Sequence, residues 1–255
     1  RRANLTKGAI YGNFASKENR GVELAVDAVI LDKAVKWSVA GNISANKNKL
    51  LGLTGGLDEY IVSNYQVMQI GQPLGLFKTY VFDGIYQTGD KVLDGSGSRT
   101  GGVKVKDLNQ DGVISAADQK VVGNAAPSFI YGFSTNLSFK QFDFSAFFSG
   151  IQGNKIYNLV RYSFENPLGS RNMYASLVNR WSPANPSNEY TNGFQGGRIP
   201  LTDRFMEDGS FLRCRSMIIG YRLPPSLTSR YKIDRLRFYV QAANLFTITK
   251  YTGLD

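Results

Sequence analysis

Residues 129–150 read FIYGFSTNLSFKQFDFSAFFSG, and this stretch decides the fold. Its apolar side chains recur with a period of two on both sides of a short break at Lys140-Gln141. Successive side chains of a β-strand point to opposite faces, so each half of the stretch has one apolar and one polar face. The break has room only for a tight turn. The stretch therefore predicts an antiparallel hairpin.

Two further pairs of segments alternate in the same way. Residues 21–31 and 34–46 flank a short turn, and residues 210–222 precede a return strand at residues 236–242. The apolar positions of the third pair change face near Arg215, which predicts a β-bulge there. The sequence thus predicts about six strands in three hairpins.

The connections between the hairpins are far longer than the turns within them. They cover residues 47–127 and 154–209, and the second contains a helical pattern over residues 170–181 with Ser170 as N-cap. Short turns at one end of a sheet and long loops at the other are typical of transmembrane β-barrels. The predicted fold class is all-β: about six strands of a large antiparallel transmembrane β-barrel, with the two connections as long extracellular loops.

The composition excludes several classes of enzyme. The 255 residues include 16 Phe, 14 Tyr and no His, which favours strands and excludes Ser-His-Asp triads and histidine-dependent metal sites. The single cysteine, Cys214, excludes an internal disulfide and lies in a strand pattern that favours a packed residue over a nucleophile. No apolar run is long enough for a transmembrane helix. Because no acid/base pair of carboxylates stands out, we expect no enzymatic activity.

The net charge of +10 raises the question of a nucleic-acid partner. Eight Arg and one Lys lie between Arg198 and Arg237, interleaved with Pro, Gly and strand residues. No nucleic-acid-binding motif accompanies them. The pattern therefore favours a solvated rim that faces anionic headgroups or a polar lumen, and we expect no nucleic-acid partner.

The sharpest local motif runs from Asp107 to Asp118. Calcium takes about six to eight oxygen ligands, and an EF-hand-type loop supplies them from positions 1, 3, 5, 7 and 12, with Gly at position 6. Gly112 takes position 6, and Ile114 at position 8 can anchor the loop to a core. The spacing predicts a structural calcium site with the ligands Asp107, Asn109, Asp111, the Val113 carbonyl and Asp118.

The motif departs from the EF-hand pattern at its last position, where Asp118 replaces the usual Glu. No flanking helices are evident, so a calcium sensor is not expected. As a calcium site in the middle of the first connection, the loop would fasten that connection. The alternative is an Asx-rich turn that holds no metal.

A series of segments resembles the C-terminal part of SusC/RagA-type TonB-dependent outer-membrane transporters of the Bacteroidetes. Their order and spacing match that family over nearly the whole chain. The segments are residues 18–24 (ENRGVEL), 71–75 (GQPLG), 81–87 (VFDGIYQ), the Asp107–Asp118 loop with the following residues 122–124 (VGN), 210–213 (SFLR) and 244–246 (NLF).

The resemblance implies outer-membrane localisation and TonB-dependent uptake of oligosaccharides or peptides. It implies three partners: a SusD-like surface lipoprotein that acts as a lid, the TonB complex, contacted through an N-terminal region outside this chain, and outer-membrane lipid. The family's plug domain has no counterpart in residues 1–255, and a plugged barrel of this kind needs about 22 strands. We therefore expect the chain to be a C-terminal portion of a longer polypeptide.

The alternative function is a soluble, calcium-stabilised β-sandwich that acts as a carbohydrate-binding or adhesion module. A barrel presents the apolar strand faces to lipid as one continuous band flanked by aromatic side chains, whereas a sandwich buries these faces against each other. Four aromatic residues of the first connection either contact sugars or the lid, or pack within the connection: Phe77, Tyr80, Phe82 and Tyr86.

Overall fold

The computed structural model describes residues 13–166, 172–192 and 200–254. Within these ranges six long strands form one antiparallel sheet. In their order across the sheet they are β1 (Ala15–Asp32), β2 (Val35–Leu53), β9 (Phe129–Phe139), β10 (Phe142–Gln152), β13 (Phe211–Arg222) and β14 (Arg237–Thr249), and the numbers between them belong to shorter strands described below. The prediction of six strands in three hairpins is confirmed.

The first two strands extend farther than the alternating pattern predicted. Beyond Gly21 and Asn46 their ladder continues through pairs such as Glu18 with Lys49. Residues 17–20 of β1 and 47–49 of β2 are polar on both faces, so the apolar alternation ends there although the backbone pairing does not. Strand pairing depends on backbone hydrogen bonds. Polar side chains do not prevent these bonds, but they leave no alternating pattern from which the pairing could be predicted.

The register places most apolar residues of the six strands on one face, while Val29, Phe147, Ile218 and Tyr239 lie on the other. Paired residues of an antiparallel ladder lie on the same side of the sheet, and the side with most apolar residues is called the apolar face. The opposite side is called the polar face. Three rows of the apolar face are Leu24–Ile43–Tyr131–Gly150–Leu212–Ile248, Val26–Gly41–Phe133–Phe148–Cys214–Phe246 and Leu31–Trp37–Leu137–Phe144–Ile219–Val240.

The bulge predicted near Arg215 is confirmed. Phe147 pairs with Ser216 and Phe148 pairs with Cys214, so Arg215 is an extra residue on β13. Its guanidinium Nε donates a hydrogen bond of 3.0 Å to Ser149 Oγ on the polar face. The bulge allows the apolar residues on both sides of it to remain on one face of the sheet.

The connections between the hairpins contain structure of their own. The strands of the first connection are β3 (Glu59–Ser63), β4 (Gln66–Gln69), β5 (Leu76–Tyr80), β6 (Phe82–Ile85), β7 (Val103–Val105) and β8 (Gln119–Asn124). The second connection contains β11 (Lys155–Tyr157), α1 (Leu159–Phe164) and β12 (Met206–Asp208), and α2 (Pro225–Thr228) lies between β13 and β14. In the first connection β3, β4, β5 and β8 form a sheet in that order and β6 pairs with β7, and in the second connection β11 pairs with β12. No helix in the described ranges is long and apolar enough to cross a membrane.

The prediction of a helix over residues 170–181 is wrong for residues 172–181, which are the part that the structure describes. There Ala175–Asn179 forms a 3₁₀ helix without a side-chain cap, and Ser170 lies outside the described residues. Trp181 is held by tertiary contacts instead, because its indole N–H donates to Gln87 Oε1 at 2.9 Å and its backbone N–H bonds to the Tyr190 carbonyl. These contacts with distant residues replace the helical hydrogen bonds that the local pattern suggested.

Two small apolar cores hold the connections together. The first contains Ile85, Val103, Val105, Ile114 and Trp181, and the second contains Phe77, Tyr157 and Phe205. Each core combines residues of both connections, so the two connections pack as one unit, here called the loop body. The position of Ile114 confirms that this residue anchors its loop to a core.

Buried charges also join parts of the loop body. Glu165 accepts a hydrogen bond of 2.7 Å from Arg161 Nε and lies 2.9 Å from Arg204 Nη2, and Arg161 also approaches Glu207 at 3.4 Å. The side chains of Glu165 and Glu207 are each 7% exposed. Each of these two buried carboxylates is therefore compensated by a guanidinium group.

This charged cluster contacts segments far apart in the sequence. The guanidinium of Arg204 lies over the rings of Phe82 (5.2 Å) and Tyr190 (5.0 Å). The carboxylate of Glu207 accepts hydrogen bonds from Thr252, which follows β14. The cluster thus links the first connection, the second connection and the segment after the last strand.

We predict that Glu165→Ala destabilises the loop body strongly. The substitution leaves two partly buried guanidinium groups without their shared partner, and breaking a buried pair costs up to about 3–5 kcal/mol. The matched control is Glu189→Ala, because Glu189 also approaches Arg204, at 3.6 Å, but is 61% exposed and should contribute less than about 1 kcal/mol. Urea unfolding followed by limited proteolysis of the loop body measures both. Equal losses in the two variants would contradict the prediction.

Candidate functional site

The apolar face forms an exposed band. Val22, Phe238 and Val240 are 74%, 60% and 76% exposed, and they belong to the two outermost strands of the sheet. A β-sandwich would bury such side chains against a second sheet. The β-sandwich alternative is therefore wrong for these strands, because no second layer of the described chain covers the band.

The height of the band fits the hydrocarbon core of an outer membrane. From Val22 to Leu31 the band spans roughly 30 Å along β1, at about 3.3 Å per residue. With a strand tilt of about 40°, this length corresponds to roughly 23 Å along the membrane normal, near the ~25 Å belt of outer-membrane barrels. Aromatic residues bound the band at the end with the short turns: Trp37, Phe139, Phe142, Tyr221 and Phe238.

The polar face carries many small hydrophilic side chains. It also carries the ion pair between Asp143 and Arg237, whose Nε donates to Asp143 Oδ1 at 2.9 Å across the sheet. Such residues suit an interior that contains water, since lumen-facing positions of barrels are polar. Other polar residues on this face are Asn42, Ser44, Asn136, Ser145, Ser149, Gln241 and Thr247.

The calcium-like loop is organised by its own side chains. Asp107 accepts hydrogen bonds from the backbone N–H groups of Gln110 (2.7 Å) and Gly112 (2.8 Å), and Asp111 accepts one from Val113 (2.8 Å). Gly112 has a φ of +83°, which favours glycine at this turn. Asn109 accepts a hydrogen bond from the backbone N–H of Asp111 at 3.1 Å.

Asp118, the last predicted ligand, differs from the other ligands in its exposure to solvent. It is fully buried, whereas the segment 109–113 is exposed. Its two oxygens accept hydrogen bonds from the backbone N–H groups of Ser115 (2.7 Å) and Leu108 (2.8 Å). The bond from Ser115 is the main reason why the pKa of Asp118 lies below its ordinary value, although burial acts in the opposite direction. Since the ionised form is favoured in the folded state, it stabilises the loop at neutral pH, and this contribution is lost in acid as the carboxylate is protonated.

Within the described ranges, no three His, Cys, Asp or Glu side chains come together in a group that could hold a metal ion. The loop offers instead exposed Asp and Asn oxygens together with backbone carbonyls. These are the hard oxygen donors that calcium prefers. The five residues of the predicted site thus lie in one compact loop. Buried Asp118 holds the two ends of this loop together through its hydrogen bonds to Ser115 and Leu108.

The aromatic residues of the first connection pack within the loop body. Phe77 is 5% exposed and Tyr86 is 1% exposed, and Tyr80 and Phe82 pack against the first core. Tyr65, Phe77 and Tyr157 form a group of neighbouring rings, with a Tyr65–Tyr157 centroid distance of 5.0 Å. Loop packing, rather than sugar contact, is therefore the role that the structure gives to these side chains.

The sequence did not reveal the charged cluster around Glu165. Its members Arg161, Glu165, Arg204 and Glu207 lie in two stretches of the second connection with no shared motif. The i,i+4 spacing of Arg161 and Glu165 was the only local signal, and such pairs are usually solvated. Burial of the pair depends on the packing of Phe205 and of the neighbouring core.

A two-faced antiparallel sheet with its shorter connections at one end and a structured loop body at the other defines part of the wall of an outer-membrane β-barrel. No protein-family model matches the chain. The chain is 34% identical over 258 residues to the TonB-dependent receptor P3 of Formosa agariphila, covering 95% of this chain and 25% of that receptor. It is 27% identical to the TonB-dependent receptor SusC of Bacteroides thetaiotaomicron, covering 95% of this chain and 24% of SusC.

The solved structures agree with the sequence relatives. A chain of the RagAB peptide transporter superimposes with a TM-score of 0.80 at 26% identity, covering 94% of this chain and 26% of that chain. The chain is thus a barrel portion of a SusC/RagA-type TonB-dependent receptor, and a C-terminal portion fits the matches. It spans about a quarter of the length of the curated relatives. Those relatives are named as receptors and transporters rather than as enzymes.

We predict that a charge on the apolar face is far more costly than the same charge on the polar face. Val26→Arg places a guanidinium in the middle of the band, where it should cost about 2–4 kcal/mol of folding free energy in lipid. Ala25→Arg is the matched control, since Ala25 is the adjacent, exposed residue on the polar face. Refolding of the intact receptor into lipid vesicles at graded urea concentrations measures both. A similar loss in the two variants would show that Val26 does not face lipid.

Proposed function

We propose that the chain forms part of an outer-membrane receptor that imports oligosaccharides or peptides with energy from the TonB complex. The observation that supports this function best is the continuous two-faced sheet, which is similar to the barrel wall of the RagAB peptide transporter. The apolar band would face lipid, and the polar face would line the path of the substrate together with the rest of the barrel. The chain itself would break no bonds.

We also propose that the loop body lies on the extracellular side and contacts a SusD-like lipoprotein lid. The long connections leave the sheet at the end opposite the short turns, which in barrels is the external end. The RagAB transporter and SusC, named among the relatives, support a partner of this kind. The buried cores and the charged cluster would give the lid a fixed surface to close against.

Uptake in cells provides the test of this function. Cells that contain the intact receptor are expected to accumulate either labelled oligosaccharides or labelled peptides. Uptake should fall to the level of a receptor-deletion strain when a protonophore removes the energy source of TonB. A small porin-permeant sugar serves as control, because its entry should not change. The receptor should also fractionate with the outer membrane and purify with a lipoprotein. Uptake of both classes that is independent of the receptor would refute the proposal.

We further propose that the Asp107–Asp118 loop binds calcium as a structural ion. The proposal is supported by the ligand spacing, by Gly112 at the sharp turn, by the exposed side chains of Asn109 and Asp111 and by the half-buried carboxylate of Asp107. Asp107, Asn109, Asp111 and the Val113 carbonyl would hold the ion, and Asp118 would hold the loop closed around it. A bound ion would fasten the first connection through Ile114, which lies in the first core.

Calorimetric titration of the intact receptor with calcium distinguishes this site from a metal-free Asx turn. Asp107→Asn and Asp111→Asn each remove a charged oxygen ligand and are expected to weaken calcium binding at least about tenfold, or about 1.4 kcal/mol. Asp58→Asn is the matched control, because Asp58 is an exposed carboxylate of the same connection outside the motif. Absence of calcium binding by the unaltered receptor at millimolar concentration would establish the Asx turn.

A further inference from the structure

A cationic row lies directly beyond the apolar band at the end of the sheet that carries the loop body. Val22 and Ala45 form the last apolar pair between β1 and β2. The next pair on the same face is Arg20 with Lys47, and the pair after it is Glu18 with Lys49. These residues are here called the cationic step.

The side chains of the cationic step lie on the same face of the sheet as the apolar band. Side chains two residues apart on a strand share a face, and the register of β1 and β2 has no irregularity between Lys17 and Val29. Arg20 contacts Glu18, which is consistent with a shared side of the strand. Each pair lies about 7 Å farther along the strand than the previous one. The step therefore begins where the hydrocarbon belt would end.

The charge of the step is unbalanced. Three cations face one carboxylate, which leaves a formal charge of +2. The side chain of Arg20 is 83% exposed, and Lys47 and Lys49 are also exposed. Within the described ranges no carboxylate lies within ion-pair distance of either lysine. The step thus presents uncompensated positive charge beside an apolar surface.

The other end of the apolar face is different. There the band ends on Phe139, Phe142 and Phe238. Beyond the ends of β13 and β14, the next residues on this face are Leu223 and Leu236. The backbone N–H of Leu223 donates a hydrogen bond to the carbonyl of Leu236. The ammonium of Lys140 lies over the ring of Phe139 at 5.2 Å. At β1 and β2 the apolar face thus ends on a cationic row, whereas the short-turn ends of β9, β10, β13 and β14 end on aromatic and aliphatic side chains, which suits a membrane whose two leaflets differ in headgroup charge.

We propose that the cationic step binds the phosphate groups of lipid A in the outer leaflet. This inference rests on the proposed outer-membrane location with the loop body outside. Acyl chains packed against Val22 and Leu24 would bring the phosphates of such a glycolipid to the level of Arg20 and Lys47. A guanidinium can hold a phosphate through two hydrogen bonds, and lysine side chains can extend along the band toward the same group.

The intact receptor in bilayer nanodiscs tests the proposal, with phosphorylated and enzymatically dephosphorylated lipid A as the two probes. The variant Arg20→Gln/Lys47→Gln/Lys49→Gln removes the three cations and keeps the polar side chains. The matched control Lys33→Gln/Lys36→Gln/Lys140→Gln removes three cations from the opposite end of the sheet. Native mass spectrometry counts the retained lipid molecules, and thermal unfolding measures the stabilisation.

The unaltered receptor and the control are expected to retain phosphorylated lipid A at least tenfold better than the dephosphorylated form and to unfold at a higher temperature with it. The step variant should lose this preference. For the unaltered receptor with dephosphorylated lipid A, inorganic phosphate at about 10 mM should not reproduce the stabilisation, because a free phosphate lacks the acyl chains that pack against the band; full stabilisation by phosphate would overturn the assignment to a lipid. Equal retention by the step variant, or no preference in the unaltered receptor, would overturn the inference. A receptor that imports its substrate but shows no phosphate preference overturns only this inference, whereas absence from the outer membrane overturns the proposed function as well.

Discussion

The constraint on which the rest of this structure depends is the pairing of backbone N–H and C=O groups between neighbouring strands. Hydrocarbon offers these groups no other partner, so strands that face lipid must form an unbroken ladder. The six-stranded sheet meets this demand from β1 to β14. Once the ladder is set, the period of two assigns every side chain to the apolar or the polar face. The bulge at Arg215 preserves that assignment where the pattern shifts.

The loop body is stabilised in another way, by two apolar cores and the charged cluster around Glu165. Contacts such as Phe82 N–H to Asp203 Oδ1, at 2.8 Å, join residues that are far apart in the chain. Long loops are tolerated because closing a longer loop adds little entropic cost. A rigid loop body nevertheless needs buried contacts to order it. Here the cores supply most of the apolar contact, and the charged cluster links segments that are far apart in the chain.

The two ends of the sheet therefore have distinct physical characters. At the short-turn end aromatic side chains bound the band, and at the other end the polar extension of β1 and β2 leads to the loop body. Leu50 connects the two regions, since it is 1% exposed and its backbone bonds to Gly71 and Gln72 of the first connection. The continuous strands β1 and β2 thus fix the position of the first connection relative to the sheet.

The sequence by itself determined the six strands, the bulge and the two faces, because alternation is a local property that a single strand displays. It also identified the calcium-like loop and the anchoring by Ile114, since both follow from fixed spacing. Only the tertiary structure decided that the pattern at residues 172–181 is not an α-helix, that buried Asp118 holds its loop together and that Arg204 is enclosed by aromatic rings. These features depend on partners many residues away, and no local period or motif encodes which distant residues will meet.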